Sequence, residues 1–167
     1  MTPDAFTELL RRHTALIRRI AFAWCMNPAE REDVAQEIAC QLWRSKDRLD
    51  PDRRESTWVW RVALNVAISS HRRQSRHHRR REDRDPARVA TAPVTVPDDD
   101  SERLHAVIGE LPPLDRALVL SWLEGNDHRT TADALGISES NVGTRLQRLK
   151  ERLRTRLQQP PLRPEGD

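Results

Sequence analysis

Residues 128–149 read HRTTADALGISESNVGTRLQRL, and residue types in that order can read a nucleic-acid duplex. A short helical pattern ends at Gly136, which accepts the left-handed backbone of a sharp turn. Leu135 and Ile137 are placed to pin two helices together, and Ser138 can accept the orphan amides that open the second. This is a helix-turn-helix pattern, whose second helix enters a major groove with its N-terminal residues against base edges. The candidate readers are Ser138, Glu139, Ser140, Asn141, Thr144, Arg145 and Arg148. Arg and Asn can contact guanine and adenine through two bonds each. Lys150, Arg152 and Arg154, with Arg148, lie further along and are expected to meet phosphates.

Charge supports a nucleic-acid partner. The 167 residues carry 29 Lys and Arg against 26 Asp and Glu, a net of +3. All but Lys46 and Lys150 of those cations are Arg, whose planar fork grips phosphate and stacks on bases. The small net charge hides segregation. Arg61 to Arg81 holds seven Arg and no acid, Glu82 to Glu102 seven acids and two Arg, and Glu139 to Leu157 six cations and two acids. Two basic segments flanking an acidic one suggest two nucleic-acid-facing modules on a linker; the competing reading is two solvated helix faces.

The elements that must position these residues are helical. Five Gly and no Tyr argue against a β-rich fold. Thr2-Pro3 is expected to start a helix running to about Cys25, and Asn27-Pro28-Ala29-Glu30 a second. Val34, Ile38 and Leu42 then share a face. Lys46–Ser56 reads as a loop, and Ser56 as the cap of a third helix carrying Val59, Val62 and Val66 toward Arg81. In the second module, Leu104, Val107, Ile108 and Leu111 make one helix and Leu114, Ala117, Leu118 and Trp122 another. Asp127 and Ser138 cap two more, the last with Val142, Leu146, Leu149, Leu153 and Leu157 in one stripe. The expectation is all-α: a helical domain 1–81, a flexible acidic linker 82–100, a four-helix helix-turn-helix domain 101–158 and a disordered tail 159–167. Fully extended, nineteen linker residues span at most ~63–68 Å, or ~19 base pairs of duplex.

A repressor would need only the second module. Here the first carries Asp33-Val34-Ala35-Gln36-Glu37 on one helix and Ser56-Thr57-Trp58-Val59-Trp60-Arg61-Val62-Ala63-Leu64-Asn65-Val66-Ala67-Ile68 on the next. With Leu111-Pro112 before the helix-turn-helix, the chain resembles the extracytoplasmic-function (ECF) group of bacterial sigma factors over roughly residues 5–157. The resemblance implies that Asp33, Gln36 and Glu37, taken to share a face, dock on the β′ clamp helices of core RNA polymerase. It also implies a β flap contact, −35 DNA for the helix-turn-helix, and −10 DNA for the third helix and the loop before it. The −10 candidates are Trp58, Trp60, Arg61, Asn65, Ser69, Arg72, Arg73 and Arg76. Trp58 and Trp60 lie about 200° apart on a helix, so one is expected in the core, with Trp58 the safer choice, while the other or the loop holds an unpaired base. The chain departs from the family pattern at Glu55 (usually aromatic), Leu64 (usually Arg), Ser69 (usually Asp) and Thr130-Thr131 (usually Glu-Ile). Thr131 puts a hydroxyl at an apolar position, from which a less robust DNA-reading module is expected.

The resemblance implies a promoter-specificity subunit, with promoter DNA and core polymerase as partners and an anti-sigma factor as a further one. The alternative is a free-standing helix-turn-helix repressor or activator. No nucleophile elbow, Gly-rich phosphate loop or HExxH motif occurs, so neither catalysis nor a cofactor is expected. Cys25 and Cys40 lack the close pairing of a zinc site and are expected to be ordinary buried thiols; no metal is expected. His71, His77 and His78, inside the Arg run, are expected to be solvated or near phosphate. No apolar run approaches the ~18 residues of a membrane span, and the N-terminus turns charged too early for a secretory signal. The expected location is cytoplasmic.

Overall fold

The structure is a computed structural model that describes residues 1–25, 27–50, 54–82 and 100–158, with side chains for all of these but 77–82, 100–103 and 105. Its helices are α1 (Pro3–Trp24), α2 (Pro28–Ser45), α3 (Glu55–Glu82), α4 (Asp100–Gly109), α5 (Pro113–Leu123), α6 (His128–Leu135) and α7 (Glu139–Gln158). A 3-10 turn, Lys46–Arg48, follows α2, and no strand occurs among the described residues. The chain divides into two compact units, Met1–Val96 and Pro97–Asp167. The all-α expectation holds. The expected linker, apart from its end residues Glu82 and Asp100, and the expected tail lie outside the described residues.

In the first unit α1, α2 and α3 pack pairwise against one another. Thr2 Oγ1 accepts the Ala5 N–H at 3.3 Å and Asn27 Oδ1 accepts that of Ala29 at 2.9 Å, so both expected caps form. Val34, Ile38 and Leu42 of α2 are buried together with Leu9, Leu16 and Ile20 of α1 and Val59, Ala63 and Leu64 of α3. Each fully buried Leu or Ile contributes about 1.5–3 kcal/mol. The start of α3 differs from the expectation. The Arg54 carbonyl accepts the N–H groups of Thr57 (3.0 Å) and Trp58 (3.3 Å), so the backbone ladder opens there and Ser56 lies inside the first turn rather than capping it. At the same end Glu55 Oε1 lies 2.8 Å from His13 Nε2 and 3.3 Å from Arg12 Nη1. A polar tie to α1 thus occupies a position where an aromatic residue was the pattern.

In the second unit buried Arg116 donates through Nη2 to the carbonyls of Gly109 and of Leu111, the latter at 3.1 Å. A cation at the C-terminal end of α4 offsets the helix dipole and spans the Leu111-Pro112-Pro113 break. Asp127 Oδ1 accepts the Thr130 N–H at 2.7 Å. That bond to the Thr130 backbone holds the Asp127 carboxyl below its ordinary range. Gly136, at φ 68°, closes α6, with its own N–H (2.9 Å) and that of Ile137 (3.2 Å) both returning to Ala132 O. Ser138 Oγ then accepts the Asn141 N–H at 3.2 Å and α7 begins. Val142, Leu146, Leu149 and Leu153 form its buried stripe.

Thr131 does not weaken this unit in the way expected. It is 3% exposed, but its hydroxyl donates to Asp127 O at 2.8 Å and lies 2.6 Å from Ser121 Oγ on α5. Ser121 is fully buried and supplies the proton to Thr131. Each hydroxyl therefore has a partner, which removes the cost of burying a bare one.

Candidate nucleic-acid interfaces

A cleft of about 630 Å³ opens between α2, the 3-10 turn and α3, within the range of small-ligand sites. Trp58, Arg61, Asn65 and Ser69 line it from α3, and Glu37 and Gln41 from α2. Four of the −10 candidates therefore converge. Trp60 does not. It is 1% exposed, in the core with Leu64 on the same stripe, whereas half-buried Trp58 faces the cleft. The expected assignment of the two tryptophans is reversed, and a base-holding role for Trp60 is incompatible with its burial. Arg72 and Arg76 stand exposed beyond the cleft. Arg73 donates through Nη2 to both carboxylate oxygens of Glu37, at 2.9 and 2.6 Å, and this hydrogen bond raises its pKa.

The α2 candidates are split. Asp33 is exposed, Glu37 lines the α3 cleft, and Gln36 lines a separate groove between α1 and α2 with Ile17, Ala21 and Ala35. On a helix Gln36 and Glu37 lie about 60° and 40° to either side of Asp33, so the three share the outward side of α2 with Gln36 and Glu37 at its two edges. Gln41, Arg48 and Thr57, cleft residues that the sequence did not single out, had a partial signal. Gln41 follows Glu37 by one helical turn, and Arg48 sits in the segment named as the −10 loop. Cys40 is exposed while Cys25 is buried, which corrects the expectation of two buried thiols. His71 is half-buried against the Trp24 ring, 5.4 Å between centroids, rather than solvated; the side chains of His77 and His78 lie outside those described.

On the second unit the N-terminal turns of α7 present Glu139, Ser140, Asn141, Thr144 and Arg148 to solvent. Ser138 is exposed but occupied as the cap. Arg145 departs from the expectation. Its Nη2 and Nε reach Asp115 Oδ1 on α5 at 2.7 and 3.3 Å, so the fork meant for guanine is committed inside the unit. The phosphate candidates are also sorted. Arg152 Nη1 lies 4.0 Å from Asp115 Oδ2, and Lys150 Nζ sits 4.4 Å above the Trp122 ring. Arg156, a further cation of α7, pairs with Glu110 at 2.7 Å. Among the described residues Arg148 and Arg154 form no ion pair.

Residues 9–77 match the family Sigma-70 region 2, and residues 101–153 match Sigma-70, region 4. The RNA polymerase sigma factor CarQ of Myxococcus xanthus is 32% identical over 158 residues, which cover 90% of this chain and 88% of that protein. The chain belongs to the ECF sigma factors. This sigma factor is also 29% identical to the RNA polymerase sigma factor NccH of Alcaligenes xylosoxydans xylosoxydans, over 92% of its own length and 87% of the relative's. Its fold is that of the sigma factor RpoE of Bartonella quintana, solved with the anti-sigma factor NepR. The TM-score is 0.73 at 20% identity, covering 92% of this chain and 96% of that one. It is a promoter-recognising factor, and the free-standing repressor is not the favoured reading. No helix among the described residues is long and apolar enough to cross a membrane.

Proposed function

We propose that this sigma factor holds an unpaired −10 base in the α2–α3 cleft and reads the −35 element with the N-terminal turns of α7, while seated on core RNA polymerase. The observation that carries the reading is the content of the cleft. The indole of Trp58 lines the same cleft as a side-chain amide (Asn65), a hydroxyl (Ser69) and a guanidinium (Arg61), with room for an unpaired base. Separating a stacked step costs about 1.4 kcal/mol, and stacking a base on an aromatic ring returns about 1–3 kcal/mol. Capture of one base therefore offsets local opening of one or two steps. Arg72 and Arg76, exposed further along α3, would neutralise phosphates beside it. On α7 the readers are Glu139, Ser140, Asn141 and Thr144, with Arg148 an exposed guanidinium that forms no ion pair among the described residues.

The exposed side of α2, with Asp33 at its centre, is the proposed seat on the β′ clamp. The Glu37–Arg73 pair has side chains 43% and 55% exposed, and an exposed pair is held weakly. Its opening would release Glu37 toward a basic partner and Arg73 toward phosphate together. Polymerase supplies the catalysis, in the cytoplasm, and an anti-sigma factor is the proposed antagonist. Run-off transcription with purified core polymerase over a promoter library tests the reading. Specific transcripts with mapped −35 and −10 elements are expected. A chain that fails to bind core enzyme yet binds a palindromic duplex alone refutes it.

A further inference from the structure

The α7 cations are numerous, yet the fold does not leave them equivalent. Asp115 sits in the first turn of α5 and is 8% exposed. Both Arg145 bonds converge on its Oδ1, and Arg152 approaches its Oδ2. The carboxylate also lies where the amides at a helix start favour negative charge. A buried carboxylate stripped of its cation is destabilised, so Arg145, although its side chain is 40% exposed, is held more firmly than a partner of an exposed carboxylate would be. Arg152, at 4.0 Å with its side chain 59% exposed, is held loosely.

We propose that Asp115 is a specificity-determining residue of the −35 reader: it keeps Arg145, and in part Arg152, off the duplex. The physical reason is that each arginine neutralising a phosphate adds affinity for any sequence. Base-edge contacts alone separate one sequence from another. Withholding two cations lowers binding to random DNA, while Asn141, Thr144 and their neighbours keep the same contacts with the chosen site. Asp115 acts through the arginines and is a positioning residue. The proposal rests on the reading that α7 meets −35 DNA.

The test uses the full chain bound to core RNA polymerase, with a −35 duplex mapped by the run-off experiment beside a scrambled duplex. Dissociation constants are taken by fluorescence anisotropy from 50 to 200 mM salt. For Asp115→Asn the log–log salt slope is expected to steepen by about 0.9, or about 1.8 if Arg152 follows Arg145. Binding to the scrambled duplex rises more than binding to the mapped one. Arg145→Gln in the native background is expected to leave the slope unchanged, and Asp115→Asn/Arg145→Gln to reverse the steepening that Arg145 contributes. A merely structural Asp115 would lower the melting temperature and leave the slope alone, which overturns the proposal. So does a slope shallower by about 0.9 for Arg145→Gln, or for Asp115→Asn/Arg145→Gln, either of which places Arg145 on DNA already; the double variant strands no charge and decides the matter where a single variant fails to fold. A native holoenzyme with no preference for the mapped duplex sinks the −35 reading itself, and the Asp115 role with it.

Discussion

Replacing Trp58 and Trp60 one at a time separates core from cleft. Trp60 is 1% exposed among the buried residues of α3 and has no acceptor for its indole N–H among the described residues. Trp60→Ala removes a whole buried ring, for which about 3–5 kcal/mol is typical. At roughly 4–8 °C per kcal/mol for a small domain, the N-terminal unit should lose about 12 °C or more. Trp60→Phe sacrifices only an unpaired N–H and part of the ring, so it should fold and open promoters almost as the native chain does. Trp58→Ala loses little packing, because the side chain is half in the cleft. It should melt within a few degrees of native but lose the stacking of one base. A loss of about 1–3 kcal/mol corresponds to roughly 5- to 150-fold less open complex at equilibrium. Circular dichroism melts read the first quantity, and permanganate reactivity of −10 thymines in holoenzyme complexes reads the second. A stable Trp60→Phe chain that cannot open promoters, beside a Trp58→Ala chain that opens them normally, would refute the burial argument.

Gly143 lies inside α7, where an added Cβ would meet only the His128 ring, at the ordinary contact distance of 3.5 Å; Gly143→Ala should stabilise the C-terminal unit by about 0.5–1 kcal/mol, seen as a raised melting temperature. Asp127 has a folded pKa below its ordinary 3.8, chiefly through the Thr130 amide. Its contribution is therefore present above about pH 4 and lost as pH falls through the depressed value. Asp127→Asn keeps a cap that does not titrate there, so the native chain's melting advantage over it should shrink on acidification below pH 4, and an advantage constant from pH 7 to pH 2 would contradict the assignment.

What was legible in the chain followed from side chains acting on their own neighbourhood. Thr2, Asn27, Asp127 and Ser138 each accept an amide two or three residues on, and that chemistry is local enough to read directly. The opening of α3 was missed because it depends on the Arg54 carbonyl, which every residue type carries. Periodicity placed Trp58 and Trp60 on opposite sides but could not say which side was inside. Asn65, two turns along the Trp58 face, was the available sign that this side meets the cleft. The fate of Arg145 was invisible for another reason: a charge run shows nothing of an acid thirty residues away on another helix. Likewise Thr131 looked like a defect until Ser121, ten positions earlier, was found against it.

That hydroxyl pair also imposes an order on change. Thr131 retains the Asp127 carbonyl if Ser121 loses its oxygen, whereas among the described residues Ser121 has only Thr131. A lineage that first turns Ser121 into Ala and then Thr131 into Val passes through an intermediate with no stranded group. The reverse order strands a buried hydroxyl at the first step, at a cost of about 1–3 kcal/mol. Descent toward an apolar contact at this point therefore runs downhill by one route and over a ridge by the other.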